Sequence, residues 1–349
     1  GRGGRGRPRP GGIKFANDLA QFDTAVDAHA TQGRAGVQAL CAWPERAMLF
    51  TGGLDGNVRM FNVTDGASQD QVEGNEVSAL CMHAGWLFVG FVNQPTPGQD
   101  VGFVKSYNFG ANGAPEIFNF AIDAAFPAAH RARVTSICVG NGMVFTGGED
   151  CVVRGWKLDG KSWILVGALG GQTTHNDKVR KIAFVNNFLY TGAFNGEIKV
   201  WDVTGNLQGQ FQAHQNMITD ICGWTGNGQN VLLTCSADAS IRVWDVSATG
   251  FVPAGAQPVF TYPPPDLPRK PKAVSCMITH TLQDGTSILL CGFVDGSIQA
   301  LDLPDFSDLG FLSGHNRNAA ITALTVFQPT NLLFAASQNG QLNCFKLLK

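Results

Sequence analysis

Charge is scarce in this chain: Lys, Arg, Asp and Glu make up 15% of its 349 residues, and the formal net charge is −2. That balance alone selects no partner. Long apolar runs are missing too, with no stretch of eighteen and no signal-like hydrophobic segment, so the sequence reads as soluble, without a membrane partner. The usual sequence signatures of chemistry are also missing. There is no GxxxxGK[ST] phosphate loop, no HExxH, no CxxC pair and no GxSxG elbow. Gly140-Asn141-Gly142 reads as a turn between strands, because no helix follows to make it a dinucleotide fingerprint. The expectation is therefore a non-enzymatic protein with no catalytic residues, no cofactor, no metal and no small-molecule substrate. An enzyme would need acids and bases from distant segments to converge. Tyrosine is rare, at three residues, and no aromatic RNA-recognition motif is present, so a dedicated base-stacking platform is not expected.

What the chain has is repetition. Seven times a short apolar run ends in Gly or a small residue, a polar turn follows, and a second apolar run closes, often on an aromatic. The copies begin at Val37, Val77, Val134, Val179, Ile218, Val274 and Ile321. Three strand-like runs and a weaker fourth at this spacing predict β-propeller blades. In EIKVWDV, Ile198, Val200 and Asp202 alternate with Lys199, Trp201 and Val203, a period-two strand pattern. Asp55-Gly56, Asn195-Gly196 and Asp295-Gly296 mark hairpins. The fold class expected is all-β, a seven-bladed propeller over residues 18–349. The seventh copy ends without a fourth strand, whereas residues 18–29 have strand-like spacing. That segment is expected to pair with blade seven and close the ring, which protects its edges.

The nine cysteines imply a reducing compartment. Cys41, Cys81, Cys138 and Cys222 share one repeat position, filled by Ala183 in the fourth copy, and are expected to be reduced core residues. The location implied is intracellular, cytoplasmic or nuclear. The sequence opens on Gly1 rather than Met, so an organelle signal upstream stays an open alternative. Residues 1–17 read as a disordered RG-rich tail: Arg2, Arg5, Arg7 and Arg9 fall in 1–12 with no acid, leaving −6 on the remainder. Such a tail can track a nucleic-acid backbone; the alternative is a flexible linker.

Trp201-Asp202 and Trp244-Asp245 end their copies, and His130, His175, His214 and His315 precede copies three, four, five and seven. On these residues the chain resembles WD-repeat proteins over about 18–349. That resemblance implies a hydrogen-bonded chain of His, strand Ser or Thr, Trp and turn Asp in each regular blade. It implies His214, Ser236 or Thr234, Trp244 and Asp238 in copy five, and His130, Thr146, Trp156 and Asp150 in copy three. In copy four it implies His175 and Trp201, with Asn195 standing for the Asp. Copies one, two and six lack the Trp, and copy two lacks the turn Asp. The histidines are then structural donors rather than catalytic bases. The segments GWLFVGF…VKSYNF, MVFTGGEDCVVRGWKL and ILLCGFVDGSIQALDLPDFSDLGFL are similar to plant-type proteins that join CCCH zinc fingers to a WD-repeat propeller. This chain contains no such finger; its Arg/Gly-rich start would suit one lying upstream.

The resemblance also places hairpin turns and the loops leading into each inner strand on one face. Insertions collect there: the blade-two hairpin Asn93–Gly102 and the connections 109–133 and 247–273, the latter with the proline-rich run YPPPDLPRKPK. Arg131, Arg133, Lys178, Arg269, Lys270 and Lys272 fall on this face with few acids among them, a candidate surface for an acidic partner or RNA. The function expected is a scaffold for protein partners in a larger assembly, with a ribonucleoprotein as the favoured setting. The alternatives are a substrate receptor of a cullin-type ubiquitin ligase and direct RNA binding through tail and basic face. Such receptors often carry Arg two residues after Trp-Asp, where this chain has Thr204 and Ser247.

Overall fold

The computed structural model describes residues 16, 19–29, 34–110, 114–264 and 272–348. They form seven four-stranded antiparallel sheets. Each begins with an inner strand: Val37–Trp43, Glu76–His83, Val134–Gly140, Val179–Val185, Ile218–Gly226, Val274–Thr281 and Ile321–Phe327. Each inner strand neighbours the next, and the last neighbours the first, so the sheets close into a ring. This is a seven-bladed β-propeller.

The hairpin chemistry sets the blades. In six of them an Asp or Asn carboxyl or amide oxygen accepts the backbone N–H two residues on, from Asp55 to Asn57, Asp150 to Val152 and Asn195 to Glu197, and again at Asp238, Asp295 and Asn339. The next residue takes a positive φ. Gly56, Gly196, Gly296 and Gly340 supply it freely, whereas Cys151 and Ala239 hold φ of 66° and 68° at the same place.

Blade-to-blade packing explains the small residue that ends each first apolar run. An added Cβ at Gly52 would meet Val77 Cγ1 at 2.4 Å; at Gly147, Val179 Cγ1 at 2.9 Å; at Gly192, Ile218 Cγ2 at 2.7 Å; at Gly292, Ile321 Cγ2 at 2.7 Å. The β-branched residue opening each inner strand thus fills the space that glycine leaves in the preceding blade. Those openers, Val37, Val77, Val134, Val179, Ile218 and Ile321, are fully buried.

Ala20–Asp27 pairs antiparallel with Gln341–Leu347, from Ala20 opposite Leu347 to Asp27 opposite Gln341. It is the outer strand of blade seven. Packing begins ahead of it. Ala16 donates its N–H to Phe311 O of blade six and is buried with Leu19 among Leu290, Leu312 and Phe345. Cys41, Cys81, Cys138 and Cys222 are partly rather than fully buried, a departure from the core placement expected of them.

Candidate partner-binding face

One face is defined by backbone bonds that tie each hairpin turn to the loop leading into its blade. Leu54 N donates to Gly36 O, Glu149 N to Arg133 O, Phe194 N to Lys178 O, Ala237 N to Met217 O, Val294 N to Ala273 O and Gln338 N to Ala320 O. Buried side-chain chains lock the same two segments together. In blade three, Trp156 Nε1–H donates to Thr146 Oγ1 at 2.9 Å, Thr146 lies 2.8 Å from His130 Nε2, and His130 Nδ1 lies 2.8 Å from Asp150. Trp156 donates to Thr146, while the roles of the His130 ring nitrogens depend on its tautomer, because Nδ1 also lies 2.8 Å from Arg154 Nη1, which can only donate. Burial pulls the His130 pKa down against the opposing pull of Asp150. Asp150 is itself held well below the carboxylate range: burial would raise it, and the hydrogen bond and charge of His130 with Arg154 override that.

Blade five repeats the chain with Trp244, Thr234, His214 and Asp238 at 3.0, 2.9 and 3.0 Å. Thr234 is therefore the strand hydroxyl. Ser236, the other candidate, lies two residues on and donates to Asn216 O instead. In blade four, Trp201 and His175 meet at Thr191, 3.0 and 2.7 Å away. Asn195 does not supply the terminal acceptor here. Glu197 does, with Oε2 2.7 Å from His175 Nδ1, and Asn195 is occupied by the turn bond to the Glu197 N–H. A glutamate two residues beyond the turn has the extra methylene needed to reach back. The hydrogen bond from His175 keeps the Glu197 pKa low.

Two variants were not read from the sequence. His29 sits between Asp55 and Thr51, both at 2.8 Å, although blade one has Phe61 opposite Leu49 where blades three to five have Trp. In blade two, Glu73 stands where the histidine would be, paired with Lys105 and hydrogen-bonded by Tyr107, the residue opposite Leu87. Position four residues ahead of Val77 was the available signal. His315, by contrast, bonds Gly296 O and packs edge-on against Phe345, with no carboxylate chain.

The basic residues sit on this face in a different electrostatic setting from the one expected. Arg133 pairs with Glu76 of blade two and reaches Gln38 of blade one; Lys178 lies 2.6 Å from Glu149 of blade three; Lys272 pairs with Asp295. Glu149 raises the Lys178 pKa. Arg131 stacks its guanidinium over Phe126 at 4.5 Å and gives its backbone N–H to Asp150. The acids come from neighbouring blades and from a turn, so the sequence-adjacent cations are a mosaic of ion pairs rather than a bare positive arc. Arg269 and Lys270, and the tail residues Arg2, Arg5, Arg7 and Arg9, lie outside the described residues. The blade-two insertion is a two-stranded ribbon, Trp86–Thr96 against Gln99–Asn108, paired out to Thr96 opposite Gln99. Residues 94–100 are exposed, and Gln94 bonds Asp100 across it at 2.8 Å.

The WD40 family pattern (WD domain, G-beta repeat) matches residues 168–202 and 205–245, which end on the two Trp-Asp pairs. The chain carries WD40 repeats. Dynein axonemal assembly factor 10 of Chlamydomonas reinhardtii is 32% identical over 122 residues, 33% of this chain and 32% of the relative. WD repeat and SOCS box-containing protein 1 of Danio rerio is 40% identical over 63 residues, 18% of this chain and 15% of the relative. Nuclear distribution protein PAC1 of Arthroderma otae is 29% identical over 119 residues, 28% and 26%. The chain thus spans about a third or less of these curated relatives. Among solved structures, the computationally designed Ika8 protein aligns with a TM-score of 0.60 at 17% identity, covering 96% of this chain and 100% of that one. That likeness concerns the fold alone. No helix among the described residues is long and apolar enough to cross a membrane.

Proposed function

We propose that this WD-repeat propeller is a non-catalytic scaffold whose turn-bearing face binds protein partners of a larger assembly. The observation that carries this reading is the rigid face over blades two to four. It carries the exposed blade-two ribbon tip and the Arg133–Glu76 and Lys178–Glu149 pairs, on loops held by the buried Glu73, His130 and His175 networks. Paired surface charges give a partner orientation and register more than raw affinity. The histidines are consumed as structural donors, so they are not free to serve as bases. A ribonucleoprotein setting rests on the tail arginines, and the ion pairing on the face favours protein over RNA as its ligand. The ligase-receptor alternative is disfavoured because Thr204 and Ser247 close local turns on Asp202 and Asp245.

The test is affinity purification of the tagged protein with quantitative mass spectrometry. Arg131→Glu, Arg133→Glu and Lys178→Glu together should strip the partner set with no change in melting temperature beyond that of Lys157→Glu, a control on an outward strand. An unchanged partner set refutes the face. Direct RNA binding is checked separately by titrating single-stranded RNA at two salt concentrations, with and without residues 1–12.

A further inference from the structure

The seven inner strands wall a central cavity of about 160 Å³, room for several waters or one tetrahedral oxyanion. The second residue of each strand lines it: Gln38, Ser78, Thr135, Arg180, Thr219, Ser275 and Thr322. The hydroxyls are already used. Thr135 donates to Val179 O at 2.9 Å, Thr219 to Val274 O at 2.7 Å, Thr322 to Val37 O at 2.7 Å, Ser275 to Ile321 O, and Ser78 to Gly90 O at 3.3 Å. Four of these bonds cross to the next blade, so the hydroxyls stitch the ring.

Blade four breaks the pattern. It places Arg180 where most other blades have Ser or Thr, and Lys181 beside it where other blades have Ala, Ser, Cys or Asp. Asp220 is the one carboxylate among the lining residues. It is already engaged: Oδ1 lies 3.0 Å from Lys181 Nζ and accepts the Ile221 N–H, and Oδ2 accepts the Met277 N–H at 3.0 Å. Arg180 is half-buried and has no hydrogen bond or ion pair among the described residues. Burial pulls its pKa down, with Asp220 opposing. Its nearest counter-charge, Asp220, is already engaged by Lys181, so the guanidinium is partly withdrawn from water with no carboxylate hydrogen-bonded to it, which is destabilising. Its fork, with the two remaining Lys181 donors, matches an oxyanion.

We propose that the central cavity is a binding site for a phosphate-type oxyanion, held by Arg180 and Lys181 on blade four. The cavity opens beside the turn-bearing face, since Arg133 of that face reaches Gln38 of the cavity wall. The test is calorimetric titration of the full chain with inorganic phosphate at constant ionic strength, together with thermal melting. Binding should saturate at one site, weaken at least tenfold in Arg180→Gln, and stay unchanged in Lys157→Gln. The unliganded Arg180→Gln protein should melt no lower than the parent, since it loses a charge whose burial outweighs the attraction of Asp220. Competition by O-phosphoserine would assign the site to a phosphoryl group on a larger molecule, and its failure to compete would assign it to the free anion. Non-saturating heats, equal affinity in Arg180→Gln, or a lower melting temperature of that unliganded variant would overturn the proposal.

Discussion

Gly147→Ala tests the packing rule that shapes every blade. Gly147 lies in Met143–Gly148, and its φ is not in the left-handed region, so an alanine is tolerated by the backbone itself. Its Cβ would stand 2.9 Å from Val179 Cγ1 and 3.2 Å from Ile182 Cγ2, but 3.7 Å from Val179 Cβ. Overpacking of this kind costs about 1–3 kcal/mol, less the ~0.5–1 kcal/mol that Ala gains over Gly in a strand. The expected net loss is about 1–2 kcal/mol. Val179→Ala alone should cost a similar amount by leaving a cavity at a fully buried position. In the double mutant the new methyl occupies the space of Cγ1, one of the two methyls removed, so the two changes should couple by about 1 kcal/mol or more toward stability. Urea unfolding of the four proteins measures this directly. A Gly147→Ala protein as stable as the parent, or losses that simply add, would refute the interlock.

Trp244→Ala should cost about 3–5 kcal/mol by cavity formation, with Thr234 losing the indole donor; a melting temperature within a degree or two of the parent would contradict the chain of bonds. Deleting residues 1–12 should leave thermal stability unchanged, whereas deleting 1–30 should expose the edge of Gln341–Leu347 and cause aggregation, followed by light scattering. Stability should be flat above about pH 6.5 and fall below it, because burial depresses His29 and His130 from their ordinary value of 6.5. The unfolded chain then binds more protons, so acid favours it. A second loss belongs below 4.5, as Glu197 is protonated. Denaturant midpoints between pH 4 and 8 check both windows, and a gain in stability from pH 7 to 5.5 would be the wrong sign.

The ring was legible because its causes are local. Asp-Gly and Asn-Gly turns and period-two strands lie within a few residues of what they determine, and the ring closure was legible because the seventh copy visibly lacks a fourth strand. The side-chain chains were legible only where the familiar letters stood. Glu197 escaped because an acid two residues past the turn can do the work of one inside it, and Glu73 with Tyr107 because both partners changed type together. The pairing of Arg133 with Glu76 and Lys178 with Glu149 joins different blades, and nothing along the sequence marks such neighbours. Trp201, expected opposite Val200 in a two-faced strand, is buried as Val200 is, since a blade has another blade on each side.

The strand Ala20–Asp27 is synthesised first and paired last. Its partner, Gln341–Leu347, is the last strand of the ring to leave the ribosome, roughly half a minute later at 5–20 residues per second. Through that interval six blades stack with both ends of the row unsealed. The nascent protein is an open arc, and an early stop or a stalled ribosome releases it as one, with a free β-edge at each end.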